Sequence, residues 1–562
     1  MKIYSPWAQV DCSEPVVLNP RLDTLSGKTI GLYAHFKGHS PVMLQILSEL
    51  LAERFPDTKF KAIQLKRDTK EAFNIPEFDA ELKEWLKDVD GVITAYGDAG
   101  SCCMFHAYNT VYIEKLGKPA VMLCKEDLLG VGKKAATTRL CPHLRFVTTP
   151  IFDLTWVPEL DEGVREGIIR PNLRNVLDNI VDGLCRPLTH EEKTPFVKDN
   201  SFADSFEVDS LENISDLFYA NGWTTGLPIN PPTEEAVKEM MRGTDLPADY
   251  VVAKIPPMMG KATVEKIAVN AVMAGCKPTY MPVLIAAVKA IVDPKIALEG
   301  WTCSVASWCP VITVSGKVAA QIGVGSGCAS LSQYQKANAA ISRAYAYIIQ
   351  NISGVRPGTE DMAEVGHEGR MGITIADQPS DINPFVDPVH VDFGLDKDDS
   401  AVTMFWAQER YEGHGGNAPS CFKSMFRAAY GGWDRGCCYV MSPGFARNLI
   451  RSGYTTRKEI LRYVQQYARH SAANVNFRWM HDNNHIPEGV LIPLTKDESA
   501  PLFWTTDHMM IVVSGSNYDA TCINFAGGGE HGGPACVKIE LPADWDELLK
   551  DYPVIQPEYH IY

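Results

Sequence analysis

The residues best suited to chemistry lie together in one short segment, residues 97–103, which read GDAGSCC. An apolar run ends at this turn, and the sequence predicts that a helix begins within it. Cys102 would then face unpaired backbone N–H groups and the positive end of the helix dipole. Such a position lowers a thiol pKa from about 8.5 to roughly 3.5–7.5. The segment therefore predicts a thiolate nucleophile, Cys102, at neutral pH.

Nucleophilic catalysis also needs a proton carrier and hydrogen-bond donors for developing negative charge. His106 lies one helical turn after Cys102, on the same predicted face, and is expected to carry protons. The backbone N–H of Gly100 and the hydroxyl of Ser101 are expected to contact the substrate or its negative charge. Asp98 is expected either to cap the helix or to tune the thiol, and capping is the simpler interpretation.

Strands and helices alternate around this turn. Five apolar strand patterns are separated by helical ones, at 28–36, 59–65, 91–96, 119–124 and 144–149. This order predicts an α/β fold with a doubly wound parallel sheet of the flavodoxin or Rossmann type. The strand carboxyl ends, and with them the site, then lie on one edge. No GxGxxG follows the first strand, so a dinucleotide site is not supported.

The first strand-to-helix loop should reach the same edge of the sheet. It contains His35, Lys37 and His39, and loops in this position hold ligands in doubly wound folds. We expect these residues to bind substrate, with the Lys37 ammonium suited to a carboxylate or phosphate. The alternative is an ordinary helix start at Ser40-Pro41.

The sequence divides into an α/β domain at 1–185, a polar linker at 186–206 and a larger α+β domain at 207–562. The larger domain is expected to shape the substrate pocket and to make oligomer contacts. Within it, Asn338 and Arg343 are expected to contact substrate, while a surface ion pair is the alternative for the arginine. Thr233 is expected to cap a helix beginning at Glu234. No internal repeat is visible.

Two similar glycine-rich pieces occur in the larger domain. One reads EGHGG and contains His414; the other reads EHGG and contains Glu530 and His531. They predict either simple turns or a second site, and a metal site drawing on both histidines and Cys421 is a weak candidate. A third glycine-rich piece, residues 323–327 (GVGSG), is suited either to cradling an anion or to a flexible turn, and it lacks the ending of a phosphate loop.

Composition excludes several classes of protein. The chain has 562 residues, a formal net charge of −16 and no basic run, which argues against nucleic acid and anionic membranes as partners. No stretch is long and apolar enough for a membrane span, and the start lacks a signal-peptide core. The 15 cysteines are then expected to be reduced thiols. We therefore expect a cytoplasmic protein acting on a small molecule, a homo-oligomer, with no cofactor predicted beyond the weak metal candidate.

A strand followed by Gly-Asp-x-Gly-Ser-Cys and a helix resembles the UGSC family, whose members are described as selenoproteins or their cysteine homologues. The pieces TTGLP, VEKIAVNAVMAGCKP, KANAAISRA and IVVSGS extend the likeness. The resemblance implies that Ala99 stands at the selenocysteine position. A selenol–thiol pair would then have lost one member. Cys103 is the substitute to consider, although it points about 100° away from Cys102 and adjacent cysteines rarely form a disulfide.

These observations predict an enzyme in which the Cys102 thiolate attacks a small electrophile covalently. Lyase, hydrolase and transferase chemistry at a carbonyl or carbon–heteroatom bond all remain open. A thiol-based oxidoreductase, as selenocysteine in relatives suggests, is the first alternative. A non-enzymatic protein that binds a metal or metabolite through the thiolate is the second.

Overall fold

The computed structural model describes most of the chain. The described residues are 1–10, 14–35, 39–65, 71–150, 161–196, 203–208, 210–358, 360–426, 436–471, 499–503, 505–527 and 533–555. We use two names below: the N-terminal region for the described residues within 14–196, and the C-terminal region for those within 203–555.

The first part of the chain alternates strands with helices. Its strands are β1 (Lys2–Tyr4), β2 (Thr29–Ala34), β3 (Lys59–Gln64), β4 (Gly91–Gly97), β5 (Ala120–Lys125), β6 (Arg145–Thr149) and β7 (Ser205–Glu207). Its helices are α1 (His39–Arg54), α2 (Pro76–Leu86), α3 (Gly100–Lys115), α4 (Leu129–Thr138), α5 (Glu162–Val164), α6 (Arg170–Asn175) and α7 (Leu177–Cys185).

Strands β2 to β6 form one parallel sheet in the order β3-β2-β4-β5-β6. Alternate side chains of a strand point to opposite faces, and here helices cover both. One face packs on α1, α6 and α7 through residues such as Leu32 and Ile93. The other packs on α2, α3 and α4 through residues such as Tyr33 and Met122. The predicted α/β fold with an N-terminal parallel sheet is confirmed, and all five predicted strands are present.

The direction in which successive strands are added to this sheet reverses at β2. Strand β3 lies on one side of β2, and β4, the next strand in the chain, lies on the other side. The helices that follow β2 and β4 therefore diverge, with α1 on one face and α3 on the other. Open α/β sheets bind ligands beyond the strand carboxyl ends at such a reversal. Below, the crevice means this place, at the carboxyl ends of β2 and β4. The GDAGSCC turn follows β4 at this crevice.

The C-terminal region contains mixed sheets and helices. Its strands are β8 (Val251–Ile255), β9 (Gly260–Thr263), β10 (Cys309–Ser315), β11 (Ile373–Ala376), β12 (Ala401–Ala407), β13 (Glu409–His414), β14 (Cys437–Met441), β15 (Arg469–Ser471), β16 (Ser499–Pro501), β17 (Met509–Val513), β18 (Thr521–Ala526) and β19 (Ala535–Lys538). Its helices are α8 (Ile214–Ala220), α9 (Glu234–Met241), α10 (Val264–Met273), α11 (Met281–Ile291), α12 (Leu298–Thr302), α13 (Lys317–Ile322), α14 (Lys336–Ile348), α15 (Ala418–Phe426), α16 (Pro443–Arg451), α17 (Arg457–Tyr467) and α18 (Trp545–Asp551).

Two four-stranded mixed sheets form the centre of this region. Their orders are β11-β10-β12-β19 and β13-β18-β14-β17. The sheets pack face to face through apolar residues such as Val311 and Phe405 of the first and Val440 and Phe525 of the second. Helices including α11 and α14 cover the outer face of the first sheet, and α15, α16 and α17 cover the outer face of the second. The result is a four-layer helix–sheet–sheet–helix sandwich.

The two sheets are structural repeats of one another. In each, a strand is followed by two helices, a parallel neighbouring strand and an antiparallel third strand: β10, β11 and β12 in one, β14, β17 and β18 in the other. The next strand then crosses over, so that β13 joins the second sheet and β19 joins the first. No repeat is visible in the sequence, and this one lies in the connections and pairing directions of the strands.

The chain termini and the predicted linker join the two regions. Strand β1 pairs with β7, and Ile3 and Ala8 belong to the apolar core of the C-terminal region. Within the predicted linker 186–206, the Glu192 carboxylate pairs with Arg145 at 2.9 Å and so attaches to the N-terminal region. No helix in the described part of the chain has the length and apolar character needed to cross a membrane.

Candidate functional site

Cys102 lies in the first turn of α3, at the carboxyl end of β4. The helix begins at Gly100, and Ala99, in an extended conformation, occupies the N-cap position. The prediction that Asp98 caps this helix was therefore wrong. The Cys102 side chain is 4% exposed, yet Cys102 belongs to none of the apolar clusters formed by the described residues. The thiol thus lies in a buried position at the helix N-terminus.

Asp98 instead forms an ion pair with His39, the first residue of α1. The Asp98 Oδ2 and His39 Nε2 atoms are 3.3 Å apart, and both side chains are almost fully buried. The edge of the His39 ring also contacts the Tyr96 ring, with ring centroids 6.3 Å apart. A carboxylate in this position orients an imidazole and stabilises its protonated form. The pair joins the two helices that flank the crevice.

The His106 side chain is fully buried, so it is neither at the surface nor able to exchange protons directly with solvent. Its ring packs against Tyr33, at 5.5 Å between centroids, and edge-on against His35, at 5.8 Å. Burial lowers the pKa of His106 to about 3, although the Thr94 backbone and the Asp98 carboxylate oppose the shift. The imidazole is therefore neutral at physiological pH, which does not favour the predicted proton-carrying role.

Cys103 packs into the interior and is unsuited to catalysis. Its thiol donates a hydrogen bond to the Leu128 carbonyl at 3.4 Å. A hydrogen bond with Cys124 and full burial raise the pKa of the Cys103 thiol well above its usual value. A Cβ on Gly97 would lie 2.9 Å from Cys103 Sγ, which explains the glycine at the end of β4. The proposed use of Cys103 as a second catalytic thiol does not fit this environment.

Gly100 and Ser101 start α3 where it meets the C-terminal region. A Cβ on Gly100 would lie 2.8 Å from both the Cys303 carbonyl oxygen and the Met362 Cβ. Gly100 is therefore required for close packing between the regions. That its backbone N–H contacts substrate stays a prediction. Ser101 is half-buried at the same turn. The C-terminal region thus lies directly beside the start of the helix that carries Cys102.

His35, the residue that follows β2, is buried beside the end of β4. Its backbone N–H donates to the Ala95 carbonyl and to Ser40 Oγ, at 2.8 and 2.9 Å. The bond to Ala95 attaches His35 to β4, and the His35 ring contacts that of His106. Lys37 lies outside the described residues, and substrate binding by His35, Lys37 and His39 stays a prediction.

Asn338 and Arg343 hold the C-terminal region together. The fully buried Asn338 amide accepts a hydrogen bond from the Gly325 N–H at 2.8 Å and donates to the Thr374 carbonyl at 2.8 Å. The Arg343 guanidinium donates to the backbone carbonyls of Leu227 and Pro228. These bonds hold both residues in place within the C-terminal region, and their contact with substrate stays a prediction.

The second predicted site is described only in part, because Glu530 and His531 lie outside the described residues. His414 is exposed, with its Nδ1 3.2 Å from Thr521 Oγ1. Cys421 is buried, and burial raises the pKa of its thiol to about 12. Within the described ranges, no three or more His, Cys, Asp or Glu residues are grouped so that they could hold a metal ion.

An ion-pair cluster that the sequence did not reveal joins the two regions beside α3. Arg139 Nε lies 2.7 Å from Glu71 Oε1, and Arg139 Nη2 lies 4.0 Å from Glu299 Oε1. The guanidinium also lies over the Tyr108 ring of α3, 3.9 Å from its centroid. Burial and the nearby Glu71 carboxylate raise the pKa of Glu299 to about 8, against the effect of Arg139. Arg139 thus lies within 4.0 Å of the carboxyl groups of both Glu71 and Glu299 at this contact.

Comparison with known proteins agrees with the family that the motifs predicted. Residues 2–160 match the model of the UGSC family, and this stretch contains the sheet, the crevice and the GDAGSCC turn. The resemblance to the UGSC family is therefore confirmed for this part of the chain. That Ala99 stands at the selenocysteine position stays a prediction. No curated protein matches the chain.

Proposed function

We propose that the protein is an enzyme in which Cys102 is the nucleophile and the His39–Asp98 pair is the acid–base unit. The observation that carries the proposal is the buried ion pair of 3.3 Å at the crevice where the Cys102 helix begins. An activated nucleophile, a base and a carboxylate that orients the base are the recurring parts of thiol catalysis. The match of residues 2–160 to the UGSC family is consistent with a site at this turn.

The proposed reaction begins with proton transfer from the Cys102 thiol to His39, whose imidazolium Asp98 stabilises. The thiolate attacks an electrophilic carbon, a C–S bond forms, and the bond to the leaving group breaks. His39 returns its proton to that leaving group. Backbone N–H groups point outward at the N-terminus of a helix, so the start of α3 is suited to stabilise the negative charge that develops on the substrate.

The proposed substrate is a small electrophile, such as an activated carbonyl compound or a thioester. The low exposure of Cys102 favours a small or flat reacting group over a bulky one. Whether the overall outcome is hydrolysis, transfer or elimination depends on what attacks the covalent intermediate. The strand order and crevice support a doubly wound sheet of the flavodoxin type. A cytoplasmic location and a homo-oligomeric state stay predictions from the sequence.

The experiment is acylation by p-nitrophenyl acetate, followed by intact-protein and peptide mass spectrometry. A Cys328→Ser background removes the one exposed thiol among the cysteines that the structure describes. We expect a burst of p-nitrophenolate and an acetyl group on the Cys102 peptide. In that background, Cys102→Ser should abolish both, whereas Cys103→Ser, the neighbouring buried thiol, should retain both.

Two further variants test the acid–base pair. His39→Gln and Asp98→Asn should slow acylation by about 10²-fold or more, the usual effect of losing a positioned proton carrier. His106→Gln should slow it much less, because its imidazole stays neutral. Acetylation that persists in Cys102→Ser, or that is spread over many cysteines, would contradict the proposal.

A further inference from the structure

A cavity lies in the C-terminal region, where strands of the two repeats end. Its volume is about 810 Å³, and it opens at the carboxyl ends of β10, β11 and β17. Ser326 and Gly327 of the GVGSG piece line it, together with Gly316-Lys317 after β10 and Gly515-Ser516 after β17. The piece that the sequence left as either an anion cradle or a simple turn therefore forms a wall of a real cavity.

The structure holds this wall in place by hydrogen bonds between the repeats. The Gln378 amide donates to the carbonyls of Ser326 and Gly515, at 2.6 and 2.8 Å. The Gly515 N–H also donates to the Ser326 carbonyl at 2.7 Å. The fully buried Asn338 amide fixes the start of the GVGSG piece by its bond to Gly325. The glycine-rich wall is thus fixed by the side chains of Gln378 and Asn338 and by the backbone of Gly515.

The charges around the cavity favour an anion. Two of its acidic residues are already neutralised, Asp377 by Arg457 at 3.7 Å and Asp399 by Lys538 at 2.5 Å. Asp377 also accepts backbone N–H bonds from Val389 and Val513. Asp398 is the remaining acid of the lining.

Lys317 and Lys397 supply the positive charge. Both are exposed at the cavity, and in the described part of the chain neither ammonium lies within 4 Å of a carboxylate. Apart from the two neutralised acids, the lining therefore contains the ammonium groups of Lys317 and Lys397 and the carboxylate of Asp398. Ser326 and Ser516 also line the cavity.

The space above the wall is open. A Cβ built on Gly327 meets no atom within 4 Å, and its backbone does not adopt the left-handed conformation that requires glycine. Gly316 differs, because its φ is +86° and a Cβ there would collide with the Asp399 carbonyl and with Ser400. The glycine at 316 is needed for the turn, whereas the glycine at 327 leaves room for a ligand.

We propose that this cavity binds a small organic anion carrying a phosphate or carboxylate group, held by Lys317 and Lys397 against the Ser326–Gly327 wall. Lysine ammonium groups bind such anions as point charges, and backbone groups of glycine-rich turns approach them closely. The proposal does not depend on Cys102. Strand β10 separates the two places: its carboxyl end opens on the cavity, while the segment before its first residue contacts α3 through Cys303.

The test is isothermal titration calorimetry of the full chain with pyrophosphate and, separately, with malonate, with sodium chloride as the ionic-strength control. We expect saturable binding of at least one probe below about 10 mM, weakened about tenfold or more in Lys317→Met and Lys397→Met. Lys238→Met, at an exposed helical lysine elsewhere, should bind as the wild type does. Binding of pyrophosphate alone identifies a phosphate site, and binding of malonate alone a carboxylate site.

A steric variant tests the cavity itself. Gly327→Phe should fill the opening and abolish binding, whereas Gly416→Phe, at another glycine with open space around it, should not change it. Cys102→Ser should leave binding unchanged, so the two proposals fail independently. No saturable binding of either probe, or equal affinity in the lysine variants and the wild type, would overturn the inference.

Discussion

Glu299 provides a prediction whose size follows from the contact between the two regions. Its carboxyl group shares Arg139 with Glu71, and its pKa is raised from 4.5 to about 8 by burial and by the Glu71 charge. In the folded protein it therefore stays protonated up to about pH 8, whereas in the unfolded chain it ionises above pH 4.5. Between these two values the Glu299 carboxylate must take up a proton when the chain folds. This group therefore lowers the free energy of unfolding progressively as pH rises from 4.5 to 8.

The size of this loss in unfolding free energy follows from the difference between the two pKa values of Glu299. That difference is about 3.5 units, at about 1.36 kcal/mol per unit. The full penalty is close to 5 kcal/mol, and about 4 kcal/mol of it falls between pH 5 and 8.5. Glu299→Gln copies the protonated side chain and cannot ionise. The variant should match the wild type within about 1 kcal/mol near pH 5 and exceed it by up to about 4 to 5 kcal/mol near pH 8.5.

The assay is urea unfolding of both proteins at the two pH values, followed by circular dichroism. Glu192→Gln is the control of opposite sign. Burial raises the Glu192 pKa, but hydrogen bonds from Arg145 and the Thr189 N–H outweigh it and lower the value to about 2. That group stabilises the fold above pH 4.5 and loses its effect as pH falls towards 2, so its removal should destabilise the protein at neutral pH. A Glu299→Gln variant less stable than the wild type near pH 8.5 would refute the reasoning.

Two more predictions concern the Cys102 helix. His106, with its pKa lowered to about 3, should show no imidazole titration between about pH 5 and 8 in NMR spectra of histidine-labelled protein. The His106→Gln variant assigns its signals. The stabilising effect of the neutral imidazole is present above pH 6.5 and is lost as pH falls towards 3. A titration midpoint above pH 6 would be inconsistent with its burial. Gly100→Ala should cost about 1–3 kcal/mol in unfolding free energy, because the new Cβ meets Cys303 and Met362. Gly130→Ala, in open space on α4, should be neutral or stabilising by up to about 1 kcal/mol, and equal effects of the two changes would contradict the packing argument.

Local patterns were sufficient for the elements of the N-terminal region. Strand runs separated by helical ones predicted all five strands of the parallel sheet. The pattern is clearest for β2 and β4, because a strand buried on both faces has a distinctive composition. Thr233 also caps α9 as predicted, since its side chain accepts a hydrogen bond from the Ala236 N–H. Capping depends on residues only three positions apart, so the sequence alone can reveal it.

Pairings between distant residues could not be predicted in this way. Asp98 and His39 are 59 positions apart in the sequence, and only the strand order β2-β4 brings them together. The sequence therefore assigned the proton carrier to the nearby His106, which lies on the expected helix but is buried against Tyr33. Helical spacing says which residues share a face, and it does not say what that face packs against.

The repeat in the C-terminal region escaped detection for a related reason. The two sheets share connections and pairing directions, whereas the strand sequences themselves have diverged, as in CPVITVS and CCYVM. A fold constrains the direction and burial of a strand far more tightly than the identity of its apolar residues.

The most direct test of the central claim measures the ionisation of Cys102 itself. The rate of iodoacetamide labelling of the Cys102 peptide is followed by mass spectrometry across about pH 5 to 9, in the Cys328→Ser background. The account predicts a half-maximal rate well below the value of about 8.5 for an ordinary thiol, and a rise towards that value in Asp98→Asn. A half-maximal rate at or above about pH 8.5 in the parent protein would contradict the claim that Cys102 is a thiolate nucleophile.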